Sequence, residues 1–131
     1  REPHVSMAAS NISSLKCVRL KMVEMQRKIA ASMSCVLDGR DIGSFVLPDA
    51  DYKFYITASV DVRTERRYAE LVAKGHGVDK DLLKKEIEQR DFNDKNRDFA
   101  PLVKADDAVL IDTSDMTVDE VVAKILSYIK K

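Results

Sequence analysis

The sequence predicts an α/β protein built on a parallel sheet. Three short apolar runs, at residues 35–37, 52–58 and 108–111, alternate with segments whose apolar residues recur at helical spacing. Parallel neighbours need a long crossover, which a helix normally supplies. At 131 residues the chain has the length of one domain, and no repeat, low-complexity tract or Pro/Gly/Ser-rich linker divides it.

From Ile12, the residues Leu15, Val18, Met22, Met25 and Ile29 fall at three- and four-residue steps, so the spacing predicts one long amphipathic helix ending near Ser32. Cys35-Val36-Leu37 then reads as a strand that stops at Asp38-Gly39. Residues 52–58 are rich in aromatic and β-branched side chains, and Ser59 is placed to cap a helix over 60–74. Gly75-His76-Gly77 closes that helix, and Asp79 caps another carrying Leu82, Leu83 and Ile87. A final βα unit follows: a strand at 108–111, then the capping box Thr117-Val118-Asp119-Glu120 before a helix with Val121, Val122, Ile125, Leu126 and Ile129 on one face. Three strands make a thin sheet with an edge to cover, so the chain reads as part of a larger unit.

Charge and composition exclude several classes. Lys plus Arg and Asp plus Glu are 22 each, so no net field recruits nucleic acid or anionic membrane. Hydrophobic residues at 45% with 34% charged describe a globular chain. The longest apolar stretches, such as 108–111, stop far short of the roughly 20 residues a membrane-spanning helix needs. Arg1-Glu2-Pro3-His4 leads into polar, helix-like sequence without the apolar core of a secretory signal. Cys17 and Cys35 form no CxxC pair, and His4 and His76 add too few ligands for a zinc site, so no metal site is expected. A reducing cytoplasm is the expected setting, with both thiols as small buried hydrophobes.

Three polar features remain. Asp38-Gly39-Arg40-Asp41-Ile42-Gly43 follows the first predicted strand at its carboxyl end, where open α/β sheets form ligand crevices. It presents carboxylate acceptors and a phosphate-binding fork on a tight turn, or simply a local ion pair. Five of the nine arginines lie between positions 63 and 97: Arg63, Arg66 and Arg67 share one helical face, and Arg90, Asp94 and Arg97 another. Arginine offers a planar fork suited to phosphate, so these faces read as a phosphate clamp or, with Glu65, Glu70, Glu86, Glu88 and Asp91 nearby, as salt-bridged solvent faces. Third, Val5-Ser6-Met7-Ala8-Ala9-Ser10, with Arg19 nine residues on, reads either as a close approach for a flat ligand or as ordinary capping and packing.

In order, these features resemble the bacterial cytidylate kinase family, a branch of the nucleoside monophosphate kinases, over essentially the whole chain. The resemblance rests on Val5-Ser6-x-Ala8-Ala9-Ser10 with Val18-Arg19, Asp38-Gly39-Arg40-Asp41-Ile42-Gly43, Pro48-Asp49-Ala50, Thr57-Ala58-Ser59, Arg66-Arg67-Tyr68, Arg90-Asp91-x-x-Asp94-x-Asn96-Arg97 and Ala100-Pro101-Leu102. It implies a three-layer P-loop kinase-type fold with a parallel sheet, incomplete here. Nothing matches GxxxxGK[ST], so the first strand and P-loop are expected to be absent and the chain to be the C-terminal part of such an enzyme. Residues 1–34 would then hold the end of the CMP-binding region and the long core helix. Residues 35–131 would form the rest of the kinase core, with a mobile lid at about 75–100.

The resemblance implies that the complete enzyme moves the γ-phosphate of ATP, with Mg2+, to CMP or dCMP. It also implies that Arg19 and Asp41 face cytosine, that Ser10, Arg90 and Asp94 surround the pentose, that Arg40 and Arg97 hold the acceptor phosphate, and that Asp38 lies beside the reacting centre. Arg66 and Arg67 would anchor the lid or neutralise phosphate charge. The chemistry suits these residue types. Cytosine sets an amine donor beside a ring acceptor, which a carboxylate and a guanidinium complement, whereas uracil opposes acceptor to acceptor. Phosphoryl transfer needs positioning and charge neutralisation more than a protein nucleophile. The implied enzyme is cytoplasmic and monomeric when complete, with neither nucleic acid nor membrane as partner, and this chain alone is expected to show no turnover. The chain departs from the family pattern at His4, Met7, Ser44 and Asp98-Phe99. The rival readings are a non-catalytic nucleotide- or phosphate-binding module and an inactive structural fragment.

Overall fold

The computed structural model describes residues 3–129, so the outer ends of the two expected regions, residues 1–2 and 130–131, lie outside the described residues. The order is α1 (Pro3–Ile12), α2 (Lys16–Ser32), a single π-helical turn (Ile42–Val46), β1 (Phe54–Thr57), α3 (Val60–Ala73), α4 (Lys80–Asn96), β2 (Val109–Asp112) and α5 (Val118–Ile129). The fold is mixed α/β with a small parallel sheet: β1 and β2 pair from Phe54 opposite Val109 to Thr57 opposite Asp112. Helices α3 and α4 make the crossover that parallel pairing demands. No helix among the described residues is long and apolar enough to cross a membrane.

Local chemistry explains most boundaries. Ser59 Oγ accepts from the Val62 amide (3.2 Å) to start α3, and the Asp79 carboxylate accepts from the Leu82 amide (2.8 Å) to start α4. Gly75, at φ 79°, ends α3 in a Schellman motif: its amide donates to the Val72 carbonyl (2.9 Å) and the His76 amide to the Leu71 carbonyl (3.0 Å). Thr117 and Glu120 form the expected reciprocal box, Thr117 N to Glu120 Oε2 at 2.7 Å and Glu120 N to Thr117 Oγ1 at 3.3 Å. Thr117→Ala should therefore cost about 1 kcal/mol. A melting midpoint unchanged from the parent chain would contradict that cap.

Three expectations need correction. The long helix expected from Ile12 starts only at Lys16, and Pro3–Ile12 is a separate helix, because Ser13 Oγ donates to the Ser10 carbonyl (2.9 Å) and Ser14 Oγ to the Asn11 carbonyl (2.6 Å), competing with helical bonds at the break. Residues 35–37 form no strand; among the described residues only β1 and β2 pair, and Val36 is 98% exposed. A run of apolar residues becomes a strand only beside a partner that takes its backbone groups. Cys17 and Cys35 are exposed, not buried, lying respectively on α2 and on that unpaired run.

The core is small: Val23, Val46, Ala58, Leu71, Leu83 and Ile111 are its buried apolar residues. Leu71 of α3 and Leu83 of α4 are both buried in it, and the Tyr128 ring of α5 meets Phe54 of β1 edge-on at 5.9 Å. On α2 only Val23 is buried, so Leu15 before the helix and Met22, Met25 and Ile29 along it remain exposed.

Candidate functional site

The site is built where α2, the turn after residue 38 and the end of α4 meet. On α2, Arg27 donates Nε to the Val46 carbonyl and Nη2 to the Phe45 carbonyl, both at 2.8 Å. The π-helical turn it pins closes on the Asp41 carbonyl, which accepts from the Phe45 amide (2.9 Å) and the Val46 amide (3.0 Å). Asp41 is thereby held inward, 3% exposed. Two helical turns before Arg27, Arg19 reaches the same residue with a fork: Nε donates to Asp41 Oδ2 at 3.1 Å and Nη2 to Oδ1. Its Nη1 donates to the Ser13 carbonyl at 3.4 Å.

Helix α4 supplies the other half. Asp94 is buried in its last turn and accepts from Arg40 Nε at 2.9 Å, with Arg90 Nε at 4.0 Å and Arg97 Nη1 at 3.9 Å. Arg97 stands just past the helix, where its Nε donates to the Ala100 carbonyl at 2.6 Å. Ala100 has φ 47°, a left-handed conformation that costs a non-glycine residue about 1 kcal/mol, and the Leu102 amide donates back to the Asp94 carbonyl at 2.8 Å. This sharp return aims Arg97 between the two carboxylates, its Nη2 3.9 Å from Asp41 Oδ1.

Four guanidinium groups, of Arg19, Arg40, Arg90 and Arg97, thus face the two carboxylates of Asp41 and Asp94, an excess of two positive charges. Arg97 Nη2 is buried without a hydrogen-bond partner. Burial lowers the Arg97 pKa, and the neighbouring Arg19 and Arg40 charges push the same way against Asp41 and Asp94. A buried donor with surplus charge around it suits an anion. A phosphate monoester carries close to two negative charges at neutral pH and three acceptor oxygens.

The remaining candidates stand elsewhere. Asp38 is exposed at the start of the turn, and Ser10 joins only through its carbonyl, bonded to the Ser13 hydroxyl. Arg66 is spent on the end of β2, donating to the Thr113 carbonyl (2.6 Å), Thr113 Oγ1 (3.2 Å) and the Met116 carbonyl (3.3 Å). Arg67 donates to Glu70 on α3 at 2.7 Å. The α4 face therefore enters the cluster, and the α3 face faces other partners.

Sequence reasoning missed Arg27, whose signal was its eight-residue spacing from Arg19 on one helical face. It also missed the pairing of Phe45 with Phe99, ring centroids 5.1 Å apart, with Lys16 over Phe99 and Arg27 over Phe45. That stack fastens the segment after Arg97 to α2, and no local sequence pattern announces it. An apolar groove of about 410 Å³ lies apart from the cluster, between α2 and Phe45, lined by Leu20, Val23 and Ala31 among others.

A family model described as cytidylate kinase matches residues 1–131. Among curated proteins, the chain is 47% identical over its full length to a cytidylate kinase of Caldicellulosiruptor saccharolyticus, covering 58% of that protein. It is 50% identical over 98% of its length to a cytidylate kinase of Clostridioides difficile, covering 60%. It is 48% identical over 99% of its length to a cytidylate kinase of Leuconostoc mesenteroides, covering 58%. The chain thus spans about three fifths of the length of these relatives.

Proposed function

The chain belongs to the cytidylate kinase family, and we propose that it forms the acceptor side of an enzyme that transfers the γ-phosphate of ATP to CMP or dCMP, giving (d)CDP and ADP. One observation carries the reading: the buried, unpartnered Nη2 of Arg97, set among guanidinium groups that outnumber the carboxylates by two. Arg40 and Arg97 would take the acceptor phosphate, with Arg90 and Asp94 at the pentose. Asp41 and Arg19 would read the amine and ring acceptor of cytosine. Asp38, exposed above them, would stand beside the reacting oxygen, and Ser10 near the sugar. Arg66 and Arg67 would anchor the lid or neutralise phosphate charge once it closes; without nucleotide they bond to Thr113 and Glu70.

In the free chain the cluster is closed on itself, the side chains of Asp41 and Arg97 being 3% and 12% exposed. Binding would exchange carboxylate partners for phosphate oxygens as the end of α4 swings, and closure afterwards would exclude water that competes for the transferred group. The residues here do not fit a magnesium–nucleotide donor site. No group of three or more His, Cys, Asp or Glu among the described residues could hold a metal ion, and GxxxxGK[ST] occurs nowhere in the sequence. ATP and Mg2+ therefore enter only as the donor the family implies. The reading also places the enzyme in the cytoplasm as a monomer without a nucleic-acid or membrane partner; the balanced charge supports the last point.

Calorimetric titration of the 131-residue chain tests the reading. CMP and dCMP should give saturable heat, with UMP and AMP weaker by about a hundredfold, because a mismatched base leaves buried polar groups unpaired. Equal affinity for CMP and UMP would remove the base assignment, and no saturable heat with either would remove the acceptor site.

A further inference from the structure

Arg63 and Asp91 share no hydrogen bond or ion pair with the side chains of the cluster, yet they fix the helix that carries half of it. Arg63, in the first turn of α3, donates Nη1 (3.0 Å) and Nη2 (2.6 Å) to the two carboxylate oxygens of Asp91 on α4. Its Nε donates to the Ala58 carbonyl at 3.0 Å, just beyond the end of β1. One planar guanidinium thus ties sheet, α3 and α4 together, using each of its nitrogens. Asp91 adjoins Arg90 and lies three residues before Asp94, so this joint sets both the rotation and the height of the last turns of α4. Two more ion pairs cross from α3 to α4, Lys80 to Glu65 and Lys84 to Asp61 (2.6 Å), but they lie near the opposite end of α4 and rest on flexible ammonium groups.

We propose that Arg63 and Asp91 are a positioning pair for the acceptor site: their fork holds α4 where Arg90, Asp94 and Arg97 can meet the pentose and phosphate of the bound nucleotide. The inference rests on the acceptor-site reading above. Misplacing binding groups by about 1 Å costs up to a hundredfold, and the pair holds the element without touching the ligand, so the expected loss is smaller, about tenfold.

The experiment titrates CMP, UMP and cytidine into the chain and its Arg63→Gln, Asp91→Asn and double variants. Each single change should weaken CMP about tenfold, and the double should be no weaker than either single, since both remove one joint. The ratio of CMP to UMP should stay at the parent value, because Arg19 and Asp41 are held from α2 and the turn. The advantage of CMP over cytidine should shrink, because the phosphate contacts move. Arg63→Lys should recover part of the affinity through one contact to Asp91, and Lys84→Met should leave CMP binding unchanged. If Arg63→Gln melts below the assay temperature, the near-isosteric Asp91→Asn carries the same measurement. A parent chain blind to CMP defeats the acceptor site and this role with it. A parent chain that binds CMP while the variants bind it equally well, shift the ratio of CMP to UMP, or lose affinity additively defeats the positioning role alone.

Discussion

Arg97→Met should weaken CMP binding by at least about a hundredfold without lowering the melting temperature of the free chain. The two halves of that result come from the same atoms. In the free chain Arg97 Nη2 is buried and unbonded, burial lowers the guanidinium pKa, and Arg19 repels it. Asp41 and Asp94 keep closer partners in Arg19 and Arg40, so removing Arg97 orphans neither carboxylate. A methionine of similar length fills the space, and the loss of the bond to Ala100, about 1 kcal/mol, is offset by relief of the unpaired buried donor. With phosphate bound, the same guanidinium makes charge-assisted bonds worth about 1.5–3 kcal/mol each, so losing two of them accounts for about a hundredfold. A variant that melts lower but binds CMP normally would show Arg97 to be a structural residue.

Asp41→Asn should act the other way, costing about 3–5 kcal/mol of stability and erasing the preference for CMP over UMP. The carboxylate is 3% exposed and holds the Arg19 fork, with Arg97 behind it. Asparagine keeps the shape and removes the charge, leaving the largely buried Arg19 guanidinium without its counter-ion and Arg97 with Asp94 alone at 3.9 Å. It also replaces one acceptor with a donor, so the amine of cytosine loses its partner while the carbonyl of uracil gains one. Chemical denaturation and paired CMP and UMP titrations read both effects. An unchanged denaturation midpoint with discrimination intact would contradict the placement of Asp41.

Legibility in the sequence followed how local the cause was. Ser59, Asp79, Gly75 and the Thr117–Glu120 box act on backbone groups within a few residues, and each ends or starts a helix where the sequence indicates. The run at 35–37 was misread because strand formation depends on a neighbour, and apolar composition alone does not supply one. The helix break at Ser13 and Ser14 was misread because a continuous apolar stripe hid two hydroxyls that compete for carbonyls. In the site, Arg19, Arg40, Asp41, Arg90, Asp94 and Arg97 were legible as residue types at helical or turn spacing. The structure brings them together across separations of 22 and 54 residues. What spacing alone could not separate was which arginine face meets the cluster, because Arg63, Arg66 and Arg67 have the same periodicity but different neighbours. The supports, Arg27 on carbonyls and Phe45 against Phe99, depend on contacts that no periodicity encodes.

A crystal structure of the chain grown with CMP tests the central claim most directly. The nucleotide should lie between α2 and the end of α4, with phosphate oxygens about 2.7–2.9 Å from guanidinium nitrogens of Arg40 and Arg97 and the cytosine amine against Asp41. CMP seated instead in the apolar groove beside Phe45, or with its phosphate on the Arg63, Arg66 and Arg67 face while Arg97 Nη2 stays unbonded, would contradict the account.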